Sequence, residues 1–107
     1  MLVNYSEDVY EKVLLINIIG TLEAVNSEKL SIRETEQFIF SPHMIAKLRE
    51  AQCNGQIIDI LERGCKLEDV VSLLPERLTD SVNNLKEMAL EVLENYQEDN
   101  KRFWIRE

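Results

Sequence analysis

Residues 9–25 read VYEKVLLINIIGTLEAV, and whether this run is helix or strand decides the fold class. Its β-branched density at Val13, Ile16, Ile18 and Ile19 suits a strand. Its length and lack of alternation argue for a helix instead. Upstream, Asn4 and Glu7 have the spacing of a capping box, with Asn in the Ser/Thr place. Glu7 and Asp8 then suit the positive end of a helix. Apolar residues fall on nearly all sides of the run, with Asn17, Thr21 and Glu23 as exceptions after the opening Glu11-Lys12. A helix apolar all round is expected at the centre of a core.

Working outward, Asn26 and Ser27 break this helix. Ser31 and Glu34 make a second capping box, opening a short helix from Ile32 to about Phe40 whose inner face holds Ile32, Thr35, Phe38 and Ile39. Ser41-Pro42 restarts the chain, with Ser41 as N-cap and Pro42 in the first helical position. Ile45, Leu48 and Ala51 or Gln52 continue that helix, and Asn54-Gly55 is expected to end it. Ile57, Ile58, Ile60 and Leu61 line a fourth helix, which Gly64 ends in the same way. Leu67 to Leu74 reads as a short helix or turn, and Pro75 opens the last helix.

That last helix has the most regular pattern. Leu78, Val82, Leu85, Ala89, Val92 and Tyr96 step by four and three alternately. At 100° per residue they stay within about 40° of one line. Asp80, Asn84, Glu87, Glu91, Glu94 and Glu98 repeat the steps on the opposite side. Met88 and Leu93 broaden the apolar face beyond a coiled-coil seam, so the helix should pack inside a bundle. Leu90 lies outside that face, near the acidic edge, and is a candidate contact residue.

Composition bounds the function. With 107 residues, 45% apolar and 30% charged, the chain has room for a single helical domain spanning 1–107. Three Gly and two Pro disfavour a many-turned β fold. The net charge of −8 repels phosphate backbones, so no nucleic-acid partner is expected. Ala51, Gly55 and Leu61 can be set on a helix-turn-helix, but its second helix would carry Asp59 and Glu62 against a single Arg. The most apolar run, Val13 to Ile19, is too short to span a bilayer, so no membrane partner is expected either. The acidic start is unlike a signal peptide, and two cysteines imply no disulfide framework. A reducing cytoplasm is the expected setting.

No constellation for chemistry is legible. His43, Cys53 and Cys65 lack paired metal-ligand spacing. His43, the only histidine, sits just after Pro42 as a surface residue, and the cysteines read as small residues near helix ends. The three glycines are scattered at 20, 55 and 64, so there is no phosphate loop. No catalytic, cofactor-binding or metal-ligating residue is assigned, and no cofactor is expected. Asn17 needs hydrogen-bond partners if buried, and Gly20 and Ala24 on the same side would let another helix approach. The tail Lys101-Arg102-Phe103-Trp104-Ile105-Arg106 sets an apolar triplet among bases. It reads as folding back over the core or, over residues 101–107, as a separate docking tail, since Trp and Arg are common anchors.

Three segments carry a resemblance: Leu15 to Glu23, Phe40 to Met44 and Leu67 to Glu76. They resemble a family of small uncharacterised proteins, a domain of unknown function, from low-GC Gram-positive bacteria. The likeness runs from about Val13 to Tyr96. It implies a cytosolic bacterial setting and a single domain, and it carries no residue role.

The expected fold is all-α: an irregular bundle of about five helices, with a central apolar N-terminal helix and a long amphipathic C-terminal helix. The expected function is a non-catalytic protein-interaction module, binding a protein partner or a second copy of itself as a homodimer. Its candidate contact residues are Glu87, Leu90, Glu91, Glu94, Phe103 and Trp104. One version is an immunity or antitoxin protein that neutralises a basic toxin. The alternative is a small-ligand or sensor domain with a pocket near Asn17 and Thr21.

Overall fold

A computed structural model describes residues 7–96. Every regular element in this range is helical: α1 (Glu7–Asn26), α2 (Ile32–Phe38), α3 (Pro42–Glu50), α4 (Gly55–Cys65), α5 (Leu67–Leu73), a 3-10 turn at Pro75–Arg77, and α6 (Leu78–Leu93). The all-α class holds. The count of about five does not: among the described residues four helices have nine or more residues and two have only seven. The short ones stop for local reasons. Ile39 leaves the helical region at φ −141° and ends α2. Leu74 does the same at φ −141°, and Pro75 cannot donate to extend α5. Pro75 therefore begins a separate turn, and α6 starts at Leu78.

The run 9–25 is helix, not strand. Leu14, Leu15, Ile18, Leu22 and Val25 turn one side of α1 into the core, where Leu15, Ile18 and Leu22 are fully buried. The partner is α6, the most extensive helix pairing in the fold. Its seam residues Val82, Leu85, Ala89 and Val92 are all buried. The two helices run antiparallel. Near the end of α1 the Asn26 amide donates to Asn83 at 2.7 Å, and Lys86 Nζ donates to Glu23 at 2.6 Å. Near its start Glu11 meets Tyr96. The expectation that α1 lies at the centre of the bundle is corrected, because one flank of it is open. Tyr10 and Ile16 are 48% and 52% exposed, and Asn17 and Gly20 are exposed with them. No described helix packs against that flank as α6 packs against the other.

Three further readings are corrected. The aromatic facing inward from the α2–α3 corner is Phe40, 1% exposed, rather than Phe38 at 61%. The turn at Ile39 brings Phe40 over Gly64, where a Cβ would fall within 3.0 Å of three ring atoms. Gly64 therefore lies inside α4 and is needed for close approach, not as a helix end. Likewise Asn54-Gly55 does not end α3. Asn54 is the N-cap of α4, its side chain accepting from the Gln56 N–H at 2.8 Å. The left-handed residue that ends α3 is Gln52, at φ 59°. Its N–H donates to the Arg49 carbonyl and that of Cys53 to the Leu48 carbonyl, a Schellman closure. Glu28, also at φ 59°, ends α1 by the same pattern: its N–H donates to Val25 O and that of Lys29 to Ala24 O.

The capping signals held where they could be tested. Ser31 accepts from the Glu34 N–H and Glu34 accepts from the Ser31 N–H, a complete capping box. Ser41 accepts from the Met44 N–H at 3.0 Å with Pro42 following it. The Asn4 cap lies outside the described residues. Thr35 is the buried polar residue of the core, and its hydroxyl donates to the Ile32 carbonyl at 2.6 Å.

Candidate functional site

The sequence-based candidates fall on separate surfaces. Glu87, Leu90, Glu91 and Glu94 follow i, i+3, i+4, i+7 spacing and so share one outer face of α6. All four are exposed, Leu90 by 45%. Among the described residues none of the three glutamates joins an ion pair. The nearby base, Lys86, is turned away to Glu23 on α1. The face thus presents an apolar centre among carboxylates, a pattern able to meet a basic surface. Phe103 and Trp104 lie outside the described residues.

Asn17 and Thr21 sit on the open flank of α1, beside a groove of about 740 Å³. Tyr10, Val13, Ile16, Gly20 and Ala24 line it from α1, and Leu30, Phe38, Ile39 and Met44 from the opposite wall. The groove is largely apolar and has no charged residue in its lining. Asn17 is exposed, so water can satisfy its amide and no buried partner is required. Thr21 Oγ1 donates to the Asn17 carbonyl at 2.8 Å, a bond within the helix that leaves little directed polarity in the groove. The close approach of another helix, expected at Gly20 and Ala24, is not made by any described segment: nothing stands within 4 Å of where a Gly20 Cβ would be.

Sequence reasoning missed a polar cluster that ties three parts of the chain together. The Glu11 carboxylate accepts from the Tyr96 hydroxyl at 2.6 Å and from the Asn54 N–H at 2.8 Å. The Asn54 amide donates in turn to the Tyr96 oxygen at 3.0 Å. Burial, reinforced by the Glu11 charge, pushes the Cys53 thiol up to about 11. Burial and the bond to Glu11 likewise push Tyr96 up to about 12. Both groups therefore keep their protons at neutral pH. The bonds among Glu11, Asn54 and Tyr96 fasten the start of α1 to the residues just after α6 and to the α3–α4 turn. One local signal could have found it: Glu11 precedes Leu15, Ile18 and Leu22 in helical register, a carboxylate at the head of a buried seam.

The remaining candidates are placed apart. His43 is exposed on the first turn of α3. Cys65 is half-buried at the end of α4, its thiol pushed up by burial and then by the Glu36 charge. Among the described residues no group of three or more His, Cys, Asp or Glu is arranged to hold a metal ion. The helix tested as a DNA reader, α4, spends Ile57, Ile58, Ile60 and Leu61 on the core. No helix among the described residues is long and apolar enough to cross a membrane.

Comparison with curated proteins and with solved structures gives no match. A family model matches residues 5–106, which include all three segments that carried the resemblance. The chain belongs to the family described as Protein of unknown function (DUF3969).

Proposed function

We propose that this chain is a non-catalytic protein-interaction module whose docking face is the outer side of α6. The observation that carries this reading is Leu90, an exposed apolar side chain set among Glu87, Glu91 and Glu94, which have no ion-pair partner among the described residues. Large apolar side chains framed by like charges suit a partner with a basic rim and an apolar contact point. The net charge of −8 would speed encounter with such a partner and make the rate sensitive to salt. An immunity or antitoxin protein acting on a basic toxin in a bacterial cytoplasm is the specific form we favour.

Affinity purification at low salt from cells of the native host tests it, with wild type beside a Glu87→Lys, Leu90→Ser, Glu91→Lys variant. The reading requires a basic protein that wild type retains, the variant loses, and added salt releases. An identical set of bound proteins from both chains would overturn it. For the toxin version, a gene neighbourhood with no toxin-like reading frame counts against it.

The second reading is a small-ligand or sensor site at Asn17 and Thr21. The groove beside them favours it. Against it stand the open form of that groove and its lack of a buried, directed polar group, since small-molecule sites usually enclose most of the ligand.

A further inference from the structure

We propose that the apolar groove on α1 is covered by this chain's own C-terminal segment, with Phe103, Trp104 and Ile105 seated against Tyr10, Val13, Asn17 and Gly20. The groove has the chemistry of an unfinished core. Tyr10, Ile16 and Phe38 are each about half exposed or more around it, and Gly20 leaves open space at its middle. Contiguous apolar surface of this kind calls for a cover.

The described chain ends on the α6 side of α1, level with the head of this groove. The Tyr96 hydroxyl is held by Glu11, and Glu11 adjoins Tyr10 at the groove's head. From Tyr96, Phe103 is seven residues on, about 23–25 Å of extended chain. Crossing α1 takes about 10–12 Å, leaving about half that reach for travel along the helix. At 1.5 Å per residue this covers the groove from Tyr10 to Asn17, and Trp104 and Ile105 extend it to Gly20. Charge points the same way. Lys101, Arg102 and Arg106 against Glu107 leave residues 101–107 at +2, while the whole chain stands at −8. The apolar triplet fits an uncharged lining while its flanking bases stay in water. Being tethered, the segment has an effective concentration near the millimolar range, which a free second copy does not match at ordinary concentrations.

Trp104 is the only tryptophan, so its fluorescence reports the contact in the full chain. The expected emission is blue-shifted, with iodide quenching several-fold weaker than for free tryptophan and unchanged on dilution. Gly20→Leu projects a side chain into the groove from a position where a Cβ has nothing described within 4 Å, and it improves helix propensity. It should return the emission to the solvent value and raise quenching several-fold, with helical circular dichroism retained. Solvent-like emission in wild type, or a blue shift that survives Gly20→Leu, overturns the proposal. A blue shift lost on dilution as a dimer dissociates does so too, and names a second copy as the occupant. In the unmodified chain, nuclear Overhauser contacts from the Trp104 indole to the Val13 methyls are expected; contacts only to residues outside the groove would overturn the assignment.

Discussion

The two long helices, α1 and α6, are each other's main partners, yet their far sides are opposites. Away from the shared core, α6 shows carboxylates and one leucine to solvent. On its far side α1 shows Tyr10, Ile16 and Gly20 beside an apolar groove. An ordinary amphipathic helix has one apolar side, and α6 fits that description. In α1 the core uses only one of two apolar sides. The excess hydrophobicity of residues 9–25 is therefore not a sign of centrality; it marks a second surface with its own occupant to find.

The largest expected effect separates the two sides of α1 directly. Leu22→Ala removes a fully buried side chain and should cost about 2–5 kcal/mol in denaturant unfolding. Ile16→Ala, on the open side, should stay within roughly 0.5 kcal/mol once the chain is cut after Asn100. A comparable loss at both positions in that truncated chain would mean that a described element, not the tail, covers the far side. Next come two of the helical glycines, Gly64 and Gly20. Gly64→Ala drives a methyl into the Phe40 ring and should destabilise by about 1–3 kcal/mol. In the chain cut after Asn100, Gly20→Ala has nothing described within 4 Å of its Cβ and should stabilise by roughly 0.5–1 kcal/mol.

The fastening of α6 to α1 gives a smaller, pH-dependent effect. Tyr96 and Cys53 hold their protons more tightly when folded, at about 12 and about 11 against ordinary values of 10.0 and 9.0. Their contribution is complete below about pH 9 and is lost as pH rises through 11 and 12. Tyr96→Phe should lower the melting temperature at pH 8 and flatten its fall in alkali. An unchanged alkaline limb would show that this hydroxyl is not what fastens the helices. The smallest effect is at Glu36, raised first by its hydrogen bond to Glu68 on α5. Its stabilising contribution is present in acid below pH 4.5 and is lost as pH rises through the raised folded value. Glu36→Gln should therefore raise the melting temperature slightly at pH 7 and leave it unchanged at pH 4.

What was legible in the sequence tracks how local its cause is. The seam of α6 and the caps at Ser31 and Ser41 depend on neighbours a few residues away, and all were readable. The asparagine and glycine at 54 and 55 misled because a residue able to take a left-handed turn need not do so; the turns fell to Gln52 and Glu28. Helical spacing places Phe38 on the inner face of α2, but α2 ends there, and the non-helical Ile39 lets Phe40 turn inward in its stead. The Glu11, Asn54 and Tyr96 cluster joins positions 42 to 85 residues apart; the register of Glu11 with the buried seam marks one member locally, but no local pattern encodes its partners. The outer face of α6 was readable as a surface, since spacing fixes which residues share it. Its partner was not, because charge selects a class of surface and never an individual.

The antiparallel pairing of α1 with α6 also bears on how the chain is made. Asn26 waits for Asn83, 57 residues later, before its end of the helix has its partner. At about 5–20 residues per second of synthesis, that is roughly 3–11 s. Throughout that interval α1 carries two uncovered apolar sides on a nascent chain. The newborn protein is then at its most adhesive, and a chaperone near the exit tunnel would find its best hold on residues 9–25.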